Sequence, residues 1–429
     1  MADPQQAAKL DLQSLQQAVA DVRQQGVSAE AAKDSAKLLE LANQAPVVRL
    51  VDQVLSEAVA RHASDVHIEA FEDHVLIRYR IDGICYEVAR APRSLVLAIA
   101  SRIKILSNLD VAESRLPQDG RILITRENRQ IDLRVSTLPT IFGESIVLRV
   151  LDKGALDKTL NQLGMDEATQ RTIEEVIKRP HGLLLVTGPT GSGKTTTLYA
   201  CLTTLNRPDV KIITTEDPVE YDIAGLVQVA INQKIDLNFA ACLRAILRHD
   251  PDIIMVGEIR DPETAIVAIQ ASLTGHLVLS TLHTNDAPGA VTRLLDMKLE
   301  PFLITSTVHA VLAQRLIRRL CPQCASPREV TDKDREELGV AADVPVQLKQ
   351  PVGCDACHGL GFQGRAGIYE LMVMHESVRT MVLERKSLGE IRAAARAHGM
   401  RTLREDGIAK VLAGETTLEE VMRETQIDG

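Results

Sequence analysis

The chain has 429 residues, 45% hydrophobic and 25% charged, with a formal net charge of -9 and no tryptophan. That length accommodates about two to four domains, and the negative balance with 2% aromatic residues argues against a nucleic-acid partner, which needs basic grooves and stacking rings. No apolar run approaches the roughly 18 residues of a spanning helix and no signal peptide opens the chain, so the protein is expected in the cytoplasm, with membrane contact only through partners.

Residues 1–45 are rich in Gln and Ala, with Leu10, Leu12, Leu15, Val19 and Val22 at loosely helical spacing. Gly26 breaks a first helix, and Ser28 caps a second that runs to about Leu41. This helical arm is either a mobile extension or a docking arm for a partner.

Pro46 opens a second region, 46–152, that reads as a small α+β domain. Val47 to Ala60 has helical periodicity. Ser64 to Glu69 and Val75 to Arg80 read as strands, with Asp82-Gly83 as a hairpin turn. A helix over Leu95 to Leu106 precedes strands near Arg121 to Thr125, Ile131 to Val135 and Ser145 to Leu151. Arg115, Arg121, Arg134 and Arg149 stand out. Arginines on strand surfaces form salt bridges or cover apolar area; they also suit a phosphate held by another domain.

Residues 153–165 read as a linker, and Asp166 to Lys178 as an amphipathic helix stopped by Pro180-His181-Gly182. A domain over 166–316 follows, with apolar strands at Leu183 to Thr187, Lys211 to Thr215, Asp252 to Val256 and Leu277 to Thr281 and helices between them. Such alternation predicts a mostly parallel sheet covered on both faces.

The stretch Gly188, Pro189, Thr190, Gly191, Ser192, Gly193, Lys194, Thr195 fits the phosphate-binding loop pattern, between an apolar strand and a helix that continues through Thr196. Its glycines let backbone N–H groups turn inward on phosphate oxygens, and the following helix points its positive end at the same anion. Lys194 is expected to neutralise the β- and γ-phosphates of ATP, and the Thr195 hydroxyl to hold Mg²⁺.

Ligands of an open α/β sheet bind beyond the carboxyl ends of its strands. There the second strand runs into Glu216, Asp217 and Glu220, and the third into Gly257-Glu258. Glu258 is the first candidate for the catalytic carboxylate and Glu216 the second; each also suits a helix cap. His276 and His283 bracket the fourth strand, and His283 suits a γ-phosphate sensor. Arg244 and Arg248 lie one helical turn apart, either on a solvated face or reaching a neighbouring subunit's nucleotide. Arg315, Arg318 and Arg319 read as the basic end of a helix after Thr305.

Cys321, Cys324, Cys354 and Cys357 form two C-x-x-C pairs separated by 29 residues, which suits a closed Zn²⁺ site in a module spanning 317–370. Cys85, Cys201 and Cys242 read as buried core thiols. Gly359, Gly361, Gly364 and Gly367 read as a tight loop, and 371–429 as short helices forming a cap or interface.

Taken together, the phosphate loop, Thr215 to Glu220 as an acidic box, Leu243 to Asp261 as a second nucleotide motif with Glu258, and Gly275 to Asn285 as a histidine box resemble the ATPases of type II secretion and type IV pilus machines. Ser64 to Glu69 and Leu116 to Arg121 resemble signatures of that family's N-terminal domain, with Ala70 where a proline is expected. The resemblance covers roughly 46 to 425. It implies an α/β chain with a RecA-like ATPase domain, a smaller PAS-like N-terminal domain and a zinc-binding insertion. It also implies a homohexamer that works on inner-membrane platform and anchoring proteins to assemble a pilin or pseudopilin fibre. Arg121 and Arg134 are implied to approach the nucleotide. The cysteines match the zinc insertion of the assembly branch. Longer members carry an extra N-terminal docking domain, so this is expected to be a short or truncated member. The residues alone leave open a nucleotide-gated scaffold or a RecA-like nucleic-acid motor.

Overall fold

A computed structural model of the protein describes residues 35–126, 129–152, 158–341 and 343–425. Most of the expected N-terminal arm and the first residues of the expected linker lie outside the described residues. Backbone proximity divides the chain into two compact units, one of residues up to 156 with 351–363, the other of 157–350 with 364–429.

The first unit opens with helices Ser35–Ala42 and Ala45–Ala60. Six strands follow: β1 (Asp65–Ala70), β2 (His74–Ile81), β3 (Ile84–Pro92), β4 (Gln118–Arg126), β5 (Arg129–Thr140) and β6 (Gly143–Asp152), with helix Val96–Leu106 between β3 and β4. They pair antiparallel in the order β3-β2-β1-β6-β5-β4. Asp82 and Gly83 have φ of 48° and 89°, the two left-handed positions a two-residue hairpin needs. The alternation of β2 puts Ile77 and Tyr79 inside, against Leu50, Val54, Ile99 and Ile103 of the helices. The Tyr79 hydroxyl is satisfied by the Val54 carbonyl at 2.7 Å.

The second unit is built on β7 (Gly182–Thr187), β8 (Ile212–Glu216), β9 (Val227–Ala230), β10 (Ile253–Val256), β11 (Leu277–Leu282), β12 (Val308–Leu320) and β15 (Phe362–Val373), in the order β15-β12-β7-β11-β10-β8-β9. A small antiparallel pair, β13 (Ser326–Arg328) and β14 (Leu348–Gln350), lies between β12 and β15 in sequence. From β12 to β9 the ladder is parallel. Every residue of β7 is buried, and its two faces feed separate cores. Leu183 and Leu185 pack with Leu243, Ala268 and Leu294. Leu184 and Val186 pack with Ile173, Leu198 and Leu202.

Two expectations need correction. Val308–Leu320 is strand β12, not a helix, so Arg315, Arg318 and Arg319 do not end one. Its apolar stretches, Ala310 to Ala313 and Leu316-Ile317, are too short to carry a period that separates strand from helix. Gly364 and Gly367 lie in β15 instead of a loop. The C-terminal helices pack on the sheet, with Val378, Ile391, Leu403, Leu418 and Val421 buried in the same core as Leu183 and Leu185.

Candidate functional site

Three loops meet at the carboxyl ends of β7, β10 and β11. The first leaves β7 at Gly188, whose φ of 149° and lack of a Cβ are both required: a Cβ there would lie 2.5 Å from the Gln314 carbonyl oxygen. Gly193, at φ 87°, caps the helix Lys194–Leu205. Lys194 is buried and its Nζ donates to the carbonyls of Gly188 and Pro189 at 2.8 and 3.0 Å. Burial pulls its pKa down to about 8; the Glu258 carboxylate opposes that shift and the Arg315 guanidinium adds to it. The Ser192 hydroxyl is buried without a hydrogen-bond partner among the described residues, and Thr195 stands exposed in the first helical turn. An orphaned hydroxyl, a buried ammonium and an open helix start fit a magnesium-bound triphosphate.

Glu258 follows β10. Its loop is pinned on both sides, by Gly257 N–H to the Thr215 carbonyl at 2.8 Å and by Ile259 N–H to the Thr281 carbonyl at 2.9 Å. The Thr281 hydroxyl adds a bond to the Gly257 carbonyl at 2.7 Å. His283, leaving the intervening strand β11, places Nε2 3.1 Å from Glu258 Oε2, and Arg260 Nη2 lies 2.5 Å from Oε1. Thr187, at the end of β7, ties the third loop in, accepting from Thr284 N–H at 2.8 Å.

Glu216 occupies a different environment. It is buried and accepts from the hydroxyl of Tyr199, from the Thr214 hydroxyl at 2.5 Å and from Gln228 Nε2 at 3.1 Å. Such a carboxylate is a strut between β8 and the helix after the phosphate loop. His276 sits at the opposite end of β11, where Nδ1 meets the Ala271 carbonyl at 2.9 Å as part of a helix terminus. Arg244 pairs with Glu263 at 2.8 Å and Arg248 donates to the Arg244 carbonyl at 2.7 Å.

Sequence reasoning passes over Gln314 and misplaces Arg315. Gln314 is buried; its Nε2 donates to the Ser192 carbonyl at 2.7 Å and its Oε1 accepts from the Thr197 hydroxyl at 2.8 Å, clamping the phosphate loop to β12. No local motif marks a strand residue whose partners lie more than a hundred positions away.

In the first unit Arg121 stands directly across from Arg134, which stands across from Arg149. Arg149 faces Asp65, and Asp65 faces Arg80, so one transverse row crosses five strands. Arg121 makes a two-pronged pair with Asp132, both contacts at 2.6 Å.

The sulfur atoms of Cys321, Cys324, Cys354 and Cys357 all lie within 4.8 Å of one another, and those of Cys354 and Cys357 are 3.8 Å apart. Tetrahedral Zn–S bonds of about 2.3 Å place thiolates about 3.8 Å apart. The N–H groups of Cys354 and Gly361 donate to Cys357 Sγ at 3.2 and 3.1 Å, as second-sphere support for a thiolate. The donor set fits zinc. Cys201 and Cys242 are buried, the Cys201 thiol pushed up to about 12 by burial, whereas Cys85 is only half-buried.

A family model described as Type II/IV secretion system protein matches residues 40–423. Type II secretion system protein E of Aeromonas hydrophila is 52% identical over 400 residues, covering 93% of this chain and 80% of that one. The type IV pilus assembly ATPase PilB of Myxococcus xanthus is 48% identical over 423 residues, covering 97% and 74%. Among solved structures, the Legionella pneumophila ATPase DotB aligns with a TM-score of 0.63 at 22% identity over 87% of this chain and 94% of that one. The pilus retraction motor PilT with bound ADP aligns at 0.58 and 24% identity, over 88% and 97%. These two likenesses bear on the fold alone.

Proposed function

The chain belongs to the type II/IV secretion system protein family, and from that premise we propose that it hydrolyses ATP to drive assembly of a pilin or pseudopilin fibre. The observation that carries this reading is that a buried cation, Lys194, and a carboxylate clamped by Arg260 and His283, Glu258, both follow the carboxyl ends of strands in one sheet. Backbone amides of 188–195 and Lys194 bind the phosphates. Glu258 orients water for in-line attack and takes its proton, as a P–O bond forms at the γ-phosphorus and the bond to the β-phosphate oxygen breaks. His283 and Arg260 fix the carboxylate's direction. When bound, Mg²⁺ neutralises charge across the β- and γ-phosphates, and Thr195 is the residue that would hold it.

Further parts of the reading are proposals of the same kind. The working form is a homohexamer, cytoplasmic and held at the inner membrane by platform and anchoring proteins. Among the described residues no helix is long and apolar enough to cross a membrane. Arg121 and Arg134 deliver positive charge to a nucleotide, and the four cysteines hold a structural zinc. The deciding experiment is Lys194→Ala: nucleotide binding and phosphate release should both be lost, and a variant that binds and cleaves ATP like its parent would refute the reading.

A further inference from the structure

The phosphate end of the site contains a second buried cation, which the motifs do not include. Arg315 lies on β12, two residues past Ala313, the register partner of Thr187 at the end of β7. Its guanidinium therefore stands beside the start of the phosphate loop. A Cβ built on Gly188 would lie 3.2 Å from Arg315 Nη1. From there Nη2 reaches the Asn285 carbonyl at 3.0 Å and its side-chain oxygen at 3.3 Å. Asn285 is two residues beyond His283, so Arg315 spans from the phosphate loop to the loop that orients Glu258.

The charge environment is unusual for a buried arginine. Its partners are the Gln314 and Asn285 oxygens, all uncharged. Among the described residues no carboxylate lies within ion-pair distance of it, whereas Arg318, three positions on, pairs with Glu420 at 2.5 Å. Burial lowers the Arg315 pKa, with Glu424, Glu370 and Asp286 opposing from further away. The Lys194 ammonium likewise donates to carbonyls, those of Gly188 and Pro189. Among the described residues, two buried cations thus lie beside the phosphate loop without a contacting anion. A buried charge without a partner is costly and is retained where a ligand supplies the partner. The planar, five-donor guanidinium suits phosphate oxygens, and it is always charged.

We propose that Arg315 is the cation by which a subunit distinguishes a bound triphosphate from a diphosphate, acting from the strand beside its own phosphate loop. This rests on the nucleotide reading above. It assigns Arg315 to the terminal phosphate because the guanidinium reaches the Asn285 end of the site, where Glu258 and His283 lie.

The test is calorimetric titration of the full chain with ADP and with a non-hydrolysable ATP analogue, for wild type, Arg315→Gln and Arg315→Lys. For Arg315→Gln, the analogue should bind about 10- to 100-fold more weakly, the scale of one charge-assisted hydrogen bond. ADP affinity should stay within about 3-fold of wild type, and the thermal midpoint should hold or rise, because an unpaired buried charge has been removed. Arg315→Lys should recover part of the triphosphate preference; if the Gln variant does not fold, weakened analogue binding with unchanged ADP binding in the Lys variant supports the assignment equally. Equal loss of both ligands, or no loss of either, would overturn it. A wild-type protein that binds neither nucleotide would instead refute the underlying nucleotide site.

Discussion

His283 Nε2 and Glu258 Oε2 meet at 3.1 Å across the tips of adjacent parallel strands, so the imidazole fixes one carboxylate oxygen while Arg260 holds the other. Glu258→Gln keeps the shape and removes the proton acceptor. Nucleotide binding should survive while hydrolysis falls by about 10²- to 10⁴-fold, the usual contribution of a general base. Steady-state phosphate release beside equilibrium binding checks this; near-normal turnover would remove Glu258 from the chemistry.

Glu216 should behave in the opposite way. Glu216→Ala leaves the Tyr199, Thr214 and Gln228 donors unpaired in the interior. At about 1–3 kcal/mol for each buried unsatisfied group, partly relieved by relaxation, the variant should lose about 2–5 kcal/mol of stability. Chemical denaturation measures the loss. Unchanged stability with abolished hydrolysis would make Glu216 the base and Glu258 its support.

Nucleotide affinity should depend on pH through Lys194. A phosphate binds the ammonium form, and the pKa of about 8 means that form dominates at neutral pH. Below pH 8 affinity should be flat. Above it each binding event must take up a proton, so the dissociation constant should rise by up to about 10-fold per unit until the pKa of the bound state is reached. Titration calorimetry in buffers of different ionisation enthalpy reads the uptake directly; the absence of proton uptake at pH 9 would contradict the account.

For the tetracysteine group, elemental analysis should find about one zinc per chain, and Cys354→Ser should lose the metal and lower the thermal midpoint. A metal-free protein that melts like wild type would show that the thiol cluster packs without an ion.

The sequence displayed the phosphate loop fully because its determinants are local: the Gly188, Gly191 and Gly193 conformations, the flanking strand and the helix start all fall within one short stretch. Glu258 and His283 were also readable, since strand tips in a parallel sheet share one edge and the apolar runs mark the strands. The transverse arginine row was not, because register between β4, β5, β6 and β1 is set by tertiary pairing. Nor was the role of β12. Its short apolar stretches carry no helix–strand distinction, and the Gln314 and Arg315 contacts form only once β12 lies beside β7.

β12 has one property that follows from its ends. Its 13 residues are fastened near the middle to the phosphate loop by Gln314, and its last residue, Leu320, is bonded directly to Cys321, the first thiol of the tetracysteine group. An extended, hydrogen-bonded strand has little longitudinal slack, so we expect it to behave as a tie-rod that transmits disturbance at either attachment. Stripping the metal should then quicken amide exchange at Gln314 and Arg315, far along the rod from the thiols; identical exchange with and without the ion would show that the two ends are mechanically independent.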